Sequence, residues 1–127
     1  MIDVTEQAKA LFKGEGYGPV YLKPLDELTG KEGIVIRKLP STFEGRYQDR
    51  SRNLAYLWQV IVRTREPRKG QETAEALARL CDTATLPSGN HSYWFVTQEI
   101  YTPVEELELS ESLFYAYAFR VRTDVLI

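Results

Sequence analysis

The residues able to do chemistry are few: one cysteine, Cys81, one histidine, His91, and one methionine in 127 residues. A thiolate nucleophile needs a base to take its proton and a third group to orient that base. Cys81 and His91 stand ten residues apart, and no third residue near them fills that role. Cys81 instead falls in phase with Ala74, Leu77 and Ala78, so it reads as a small core residue. A zinc site asks for three or four thiolate or imidazole ligands, more than one Cys and one His supply. The carboxylates Glu105, Glu106 and Glu108 lie close together, but with few apolar neighbours to raise a pKa they read as a solvated rim, not an acid–base pair. The run Gly14-Glu15-Gly16-Tyr17-Gly18-Pro19 lacks the glycine spacing of a dinucleotide fingerprint, and no Gly-Lys-Ser/Thr follows it. It reads as a plain turn. These residues lead us to expect no catalytic, cofactor or metal site.

The elements around them are legible from periodicity. Asp3 and Glu6 have the spacing of a capping box, and Val4, Ala8, Leu11 and Phe12 follow at helical steps, which predicts an amphipathic helix over 3–13. A short extended piece is expected at 20–22. The β-branched Ile34-Val35-Ile36 predicts a strand stopped by Pro40. Residues 40–53 read as a long polar loop. From Leu54 the period is two, with Leu54, Tyr56, Trp58, Val60 and Val62 on one side. After the breaker Glu66-Pro67-Arg68-Lys69-Gly70, helical spacing predicts a helix over 71–85. Strands are expected over 92–101 and 112–124, joined by an acidic connector that holds Glu105, Glu106 and Glu108.

The order, about α-β-β-β-α-β-β, predicts one α+β domain spanning 1–127, a mostly antiparallel β-sheet with helices packed on one face. Hydrophobic residues at 43% and charged residues at 27% fit a folded domain and are too apolar for a disordered tail. No secretory signal or membrane span is read in the chain, so a soluble, cytoplasmic protein is expected. Ten of the fifteen aromatics fall in three predicted strands, where they read chiefly as core; a second, open sheet face carrying some of them would be an assembly surface.

Net charge is −2, yet the charges are segregated. Residues 31–69 hold ten Lys and Arg against Glu32, Glu44, Asp49 and Glu66, a balance of +6; residues 99–112 hold five Glu and no base. Three readings are open. The basic segment can meet nucleic acid through Arg46, Arg50, Arg52, Arg63, Arg65, Arg68 and Lys69, with Tyr47 for stacking. The two segments can be solvated faces. Or a protomer with one basic and one acidic edge can dock head to tail into a ring.

The chain resembles the small tail-completion proteins of long-tailed bacteriophages, the tail-terminator group, often labelled minor capsid proteins. The resemblance is carried by the opening helix, Gly33-Ile34-Val35-Ile36-Arg37, the strand from Leu54 to Arg63, the helix around Glu72-Thr73-Ala74-Glu75-Ala76-Leu77, and the closing Tyr115-Ala116-Tyr117-Ala118-Phe119-Arg120-Val121-Arg122-Thr123. It implies a non-enzymatic virion part with no cofactor. Its partners would be further copies of itself in a hexameric ring, the tail tube protein and the head-tail connector proteins, with no membrane and no specific nucleic acid. It would be made in the host cytoplasm and reside at the head-proximal end of the tail. Opposite charge then makes Arg46, Arg50 and Arg52 on one side, and Glu105, Glu106 and Glu108 on the other, the expected assembly contacts. The alternative is a small nucleic-acid-binding or adaptor domain using the basic segment 31–69.

Overall fold

The computed structural model describes residues 2–22, 32–46, 52–107 and 114–127. Their order is α1 (Val4–Gly14), β1 (Val20–Tyr21), β2 (Gly33–Lys38), β3 (Thr42–Arg46), β4 (Arg52–Thr64), α2 (Pro67–Thr83), β5 (Trp94–Leu107) and β6 (Tyr115–Leu126). The fold is α+β, as expected. One mixed sheet runs β1-β2-β4-β6-β5, with β3 also paired to β4; only β1 to β2 is parallel.

Period two decides which residues meet the helices. Leu54, Tyr56, Trp58, Val60 and Val62 of β4 form one core with Tyr117, Phe119, Val121 and Val125 of β6. Val4, Ala8 and Phe12 of α1, and Ala74, Leu77 and Cys81 of α2, pack into that same core. Both helices therefore cover one face. A smaller cluster, Val35, Ile61, Ala116 and Ala118, lies on the other, against Tyr21 and Leu107. Among the described residues no helix is long and apolar enough to cross a membrane.

Three local features depart from the periodicity reading. The loop expected at 40–53 contains β3, which pairs Thr42 with Ala55 and Phe43 with Leu54. Pro40 has no N–H and interrupts the ladder, but the Ser41 hydroxyl fills the gap by accepting the Leu57 N–H at 3.0 Å and donating to the Leu39 carbonyl at 3.1 Å. At the chain's start Asp3 is the N-cap of α1 yet makes no side-chain capping bond. Its carboxylate is taken by a turn 85 residues away. Lastly, β5 continues past Tyr101 to Leu107, absorbing the first part of the expected connector. Pro103 is tolerated there because β5 is the outermost strand of the sheet.

One glycine is fixed by a close approach. Gly33 has φ +150, and a Cβ there would lie 2.8 Å from the Tyr21 ring and 2.9 Å from the Pro19 carbonyl oxygen. The β1–β2 contact needs its missing side chain.

Candidate assembly surfaces

Those of the expected contact residues that are described sit at two distant corners of the sheet. Arg46 ends β3 opposite Arg52, which opens β4. Arg52 is tied to the chain's end, its N–H donating to the Ile127 carbonyl and its carbonyl accepting from the Ile127 N–H, both at 3.0 Å. Its guanidinium lies 5.0 Å from the centre of the Phe43 ring, which is 54% exposed. Arg50 lies outside the described residues. Across the sheet, Glu105 and Glu106 are opposite Ala118 and Tyr117 of β6, so they stand on a strand and not on a connector, just past a register shift between Thr102 and Glu105; being consecutive, they point to opposite faces of the sheet. Both are exposed. Burial pushes the Tyr117 hydroxyl up, and the charge of Glu106 adds to the rise. Glu108 lies outside the described residues.

Strand register measures the separation. Asn53, beside Arg52, faces Leu126, and Glu105 faces Ala118. Eight residues along β6 at about 3.4 Å each give roughly 27 Å, and β3 to β5 adds three strand spacings of about 4.8 Å. The basic and acidic corners are thus about 30 Å apart, diagonal to each other, and the fold does not bring Arg52 to Glu105 within one chain.

The basic segment does not form one stripe. Arg63 is 5% exposed with its guanidinium 5.0 Å from the Phe114 ring, and Arg65 lies over the same ring at 5.1 Å. Arg68 meets Glu72 one helical turn away at 3.4 Å. These are at the end of β4 opposite Arg52, twelve or so residues and about 40 Å along an extended strand.

Cys81 and His91 are also kept apart in character. Cys81 is fully buried, and desolvation pushes its thiol to about 12, with the Asp82 charge adding to it. That thiol is no nucleophile at neutral pH. His91 is exposed on a turn with φ 59. Among the described residues no group of three or more His, Cys, Asp or Glu is placed to hold a metal ion.

Two concavities are formed among the described residues. A cavity of about 410 Å³ opens between the Gly16–Pro19 turn and the start of α2, lined among others by Glu32, Arg63, Lys69 and Thr73. A smaller one, about 170 Å³, is bounded by Pro87, Ser88, His91, Tyr93, Trp94 and Phe95. Trp94 at its rim is 79% exposed, the most exposed of the large apolar side chains described.

A further arrangement lies on the helix-free face and was not singled out from the sequence. Arg37, Gln59 and Arg120 fall in one cross-strand row, because Arg37 pairs with Gln59 and Gln59 with Arg120. The Arg37 Nε donates to Gln59 Oε1 at 2.7 Å. Arg120 is half-buried, and its Nε is out of contact with water and has no acceptor. Next along β6, Arg122 donates through Nε to Asp124 at 3.0 Å. The signal was present as Gln59, a polar residue within the apolar run from Leu54 to Val62. Set against known proteins, the chain matches no protein-family model and no curated relative.

Proposed function

We propose that this chain is a non-enzymatic structural part that assembles head to tail into a ring capping the head-proximal end of a phage tail tube, ending tube growth and preparing the head joint. The observation that supports it is the placement of opposite charge. Basic Arg46 and Arg52 and acidic Glu105 and Glu106 lie at diagonal corners of one sheet, too far apart to satisfy each other within a protomer. Two different surfaces that complement each other make a heterologous contact, and such contacts close into rings when the rotation allows. The sequence resemblance to tail terminators supplies the template on which six copies would align.

The alternative, nucleic-acid binding through residues 31–69, draws less from the fold. Phosphate tracking calls for a continuous positive groove, whereas Arg63 and Arg65 are engaged with Phe114 at one end of β4 and Arg52 stands at the other.

The test is to mix the full chain with tail tubes assembled from purified tube protein and to image them by negative-stain electron microscopy. The expected result is a ring at one tube end and an arrest of further elongation. The R50E/R52E variant should lose both. Tubes that elongate as before, with no density at their ends, would refute the cap. Duplex DNA binding that weakens steeply with salt would replace it with the alternative.

A further inference from the structure

We propose that the sheet is closed to strand addition along its edges, and that surplus residues in β5, together with Glu99, are the device that closes the long edge. Closure of the edges holds whether or not the chain caps a tube, and it means that a partner meets a face or an end of the sheet and not its backbone.

β5 is the outermost strand, and a long outermost strand presents unpaired N–H and C=O groups on which another chain can pair. Its 14 residues lie against only eleven of β6, residues 116–126. Three are in excess: Val96, Tyr101 and one of Pro103 and Val104, at the three register shifts. Val104 packs against the core, whereas Pro103, Val96 and Tyr101 are exposed. Each surplus residue interrupts the ladder and twists the strand, and Pro103 has no N–H to offer. The longest regular run that remains is four residues, 97–100. Exposed Glu99 stands inside it, and the Asp82 carboxylate of α2 meets the Ile100 N–H at 3.5 Å. Strands commonly pair over about five or six residues, more than this edge supplies.

The other side is closed by shortness. β1 has two residues, and beyond it β2 leaves Ile36, Arg37 and Lys38, the last two being exposed cations. β3 has five residues, broken by a register shift between Phe43 and Gly45. Among the described residues, no free edge offers more than four in regular register.

The register also shows how to open the edge. Deleting Tyr101 and Pro103 leaves nine residues of β5 opposite nine of β6, with Ile100 and Val104 still on the helix side against the core. Two such edges can pair antiparallel about Thr102. That register sets Glu99 of one copy opposite Glu105 of the other, a like-charge pair that Glu99→Thr removes.

The experiment compares the wild type with the full chain carrying both deletions and E99T, by sedimentation velocity and hydrogen exchange over a range of concentrations. The variant should keep the wild-type circular dichroism spectrum, at least double the sedimenting mass, and gain about 10-fold or more protection of its β5 amides as concentration rises. Wild-type β5 amides should exchange at a rate independent of concentration. A folded variant that matches the wild type in mass and β5 exchange would overturn the closure. If the deletions unfold the chain, the wild type decides: β5 protection that rises with concentration refutes the closure, and exchange that stays constant upholds it. Rings on tube ends whose β5 amides are protected would likewise overturn it while leaving the cap standing; a failed cap leaves the closure to these exchange measurements.

Discussion

Removing the Asp3 carboxylate should loosen the packing of α1 on the sheet, and the loss should depend on pH in a defined way. Asp3 is 8% exposed, and its carboxylate accepts four hydrogen bonds. Oδ1 takes the Ser88 hydroxyl at 2.8 Å and the Ser92 hydroxyl at 3.2 Å; Oδ2 takes the Gly89 N–H at 2.9 Å and the Gln7 amide at 3.0 Å. Burial by itself would raise the pKa of this acid, but these donors outweigh it and hold the carboxyl below its usual range. A carboxyl depressed in the folded state contributes stability that is complete above the unfolded value near 4 and is lost as pH falls through the folded value. In Asp3→Asn the amide can keep the two serines on its oxygen. Its NH₂ then meets the Gly89 N–H, which cannot turn away, while Gln7 can flip its amide. One orphaned backbone donor and the lost charge together cost about 2 kcal/mol, which for a domain of this size lowers Tm by about 6–10 °C. Thermal unfolding by circular dichroism at pH 7 and at pH 3 or below measures both. The difference between the proteins should be present at pH 7 and shrink toward zero as Asp3 itself protonates. A variant within about 0.5 kcal/mol of wild type at pH 7, or a gap that persists unchanged at low pH, would refute the reasoning.

Three other outcomes follow from the core. Trp58 donates its indole N–H to Thr123 Oγ1 at 2.9 Å, and Thr123 passes its own proton to Gln98 Oε1 at 2.7 Å. Thr123→Val strands both partners and should cost about 1–3 kcal/mol in urea unfolding, with little change in m-value. Native Cys81, buried and with its thiol at about 12, should resist a thiol reagent at pH 8 and react at once in denaturant; fast native labelling would contradict its place in the core. Gly70→Ala gains helix propensity but puts a Cβ 2.3 Å from Thr64 Cγ2, and Thr64 cannot rotate without losing its 3.0 Å bond to the Glu66 N–H. The variant should unfold about 1–2 kcal/mol more easily than wild type, and a stabilised protein would show that the turn before α2 yields.

What could be read from the sequence divides along physical lines. The α+β class, the two helices and the face of β4 that meets them follow from period, because burial writes period two or 3.6 into the choice of apolar residues. The exceptions are set by contacts distant in sequence. Asp3 has the spacing of a cap, but donors at 88–92 outbid the helix N–H groups for its carboxylate. Pro40 reads as a stop, and Ser41 then restores pairing through its side chain. Pro103 and the glutamates read as a connector, yet an edge strand admits both. Of the expected contacts, Arg52, Glu105 and Glu106 are placed at the surface or edge of the sheet, Arg46 is placed by its backbone pairing alone, and Arg50 and Glu108 lie outside the described residues.

The helix-free face shows why its cations are held where they are. On β4 and β6 the helix side carries Trp58, Val60, Phe119 and Val121, whereas the other side carries Ala55, Gln59, Ala116, Ala118 and Arg120. A slip of one residue would drive Gln59 and Arg120 into the core and expel Trp58 and Phe119, an exchange that burial forbids. Register is therefore fixed by the apolar side, and the polar side inherits it. Small Ala118, two residues from Arg120 on the same face, leaves room for that half-buried side chain, whose Nε is out of contact with water. The positions of Arg37, Gln59 and Arg120 along their strands are thus set by the apolar side of the sheet and not by contacts of their own polar groups.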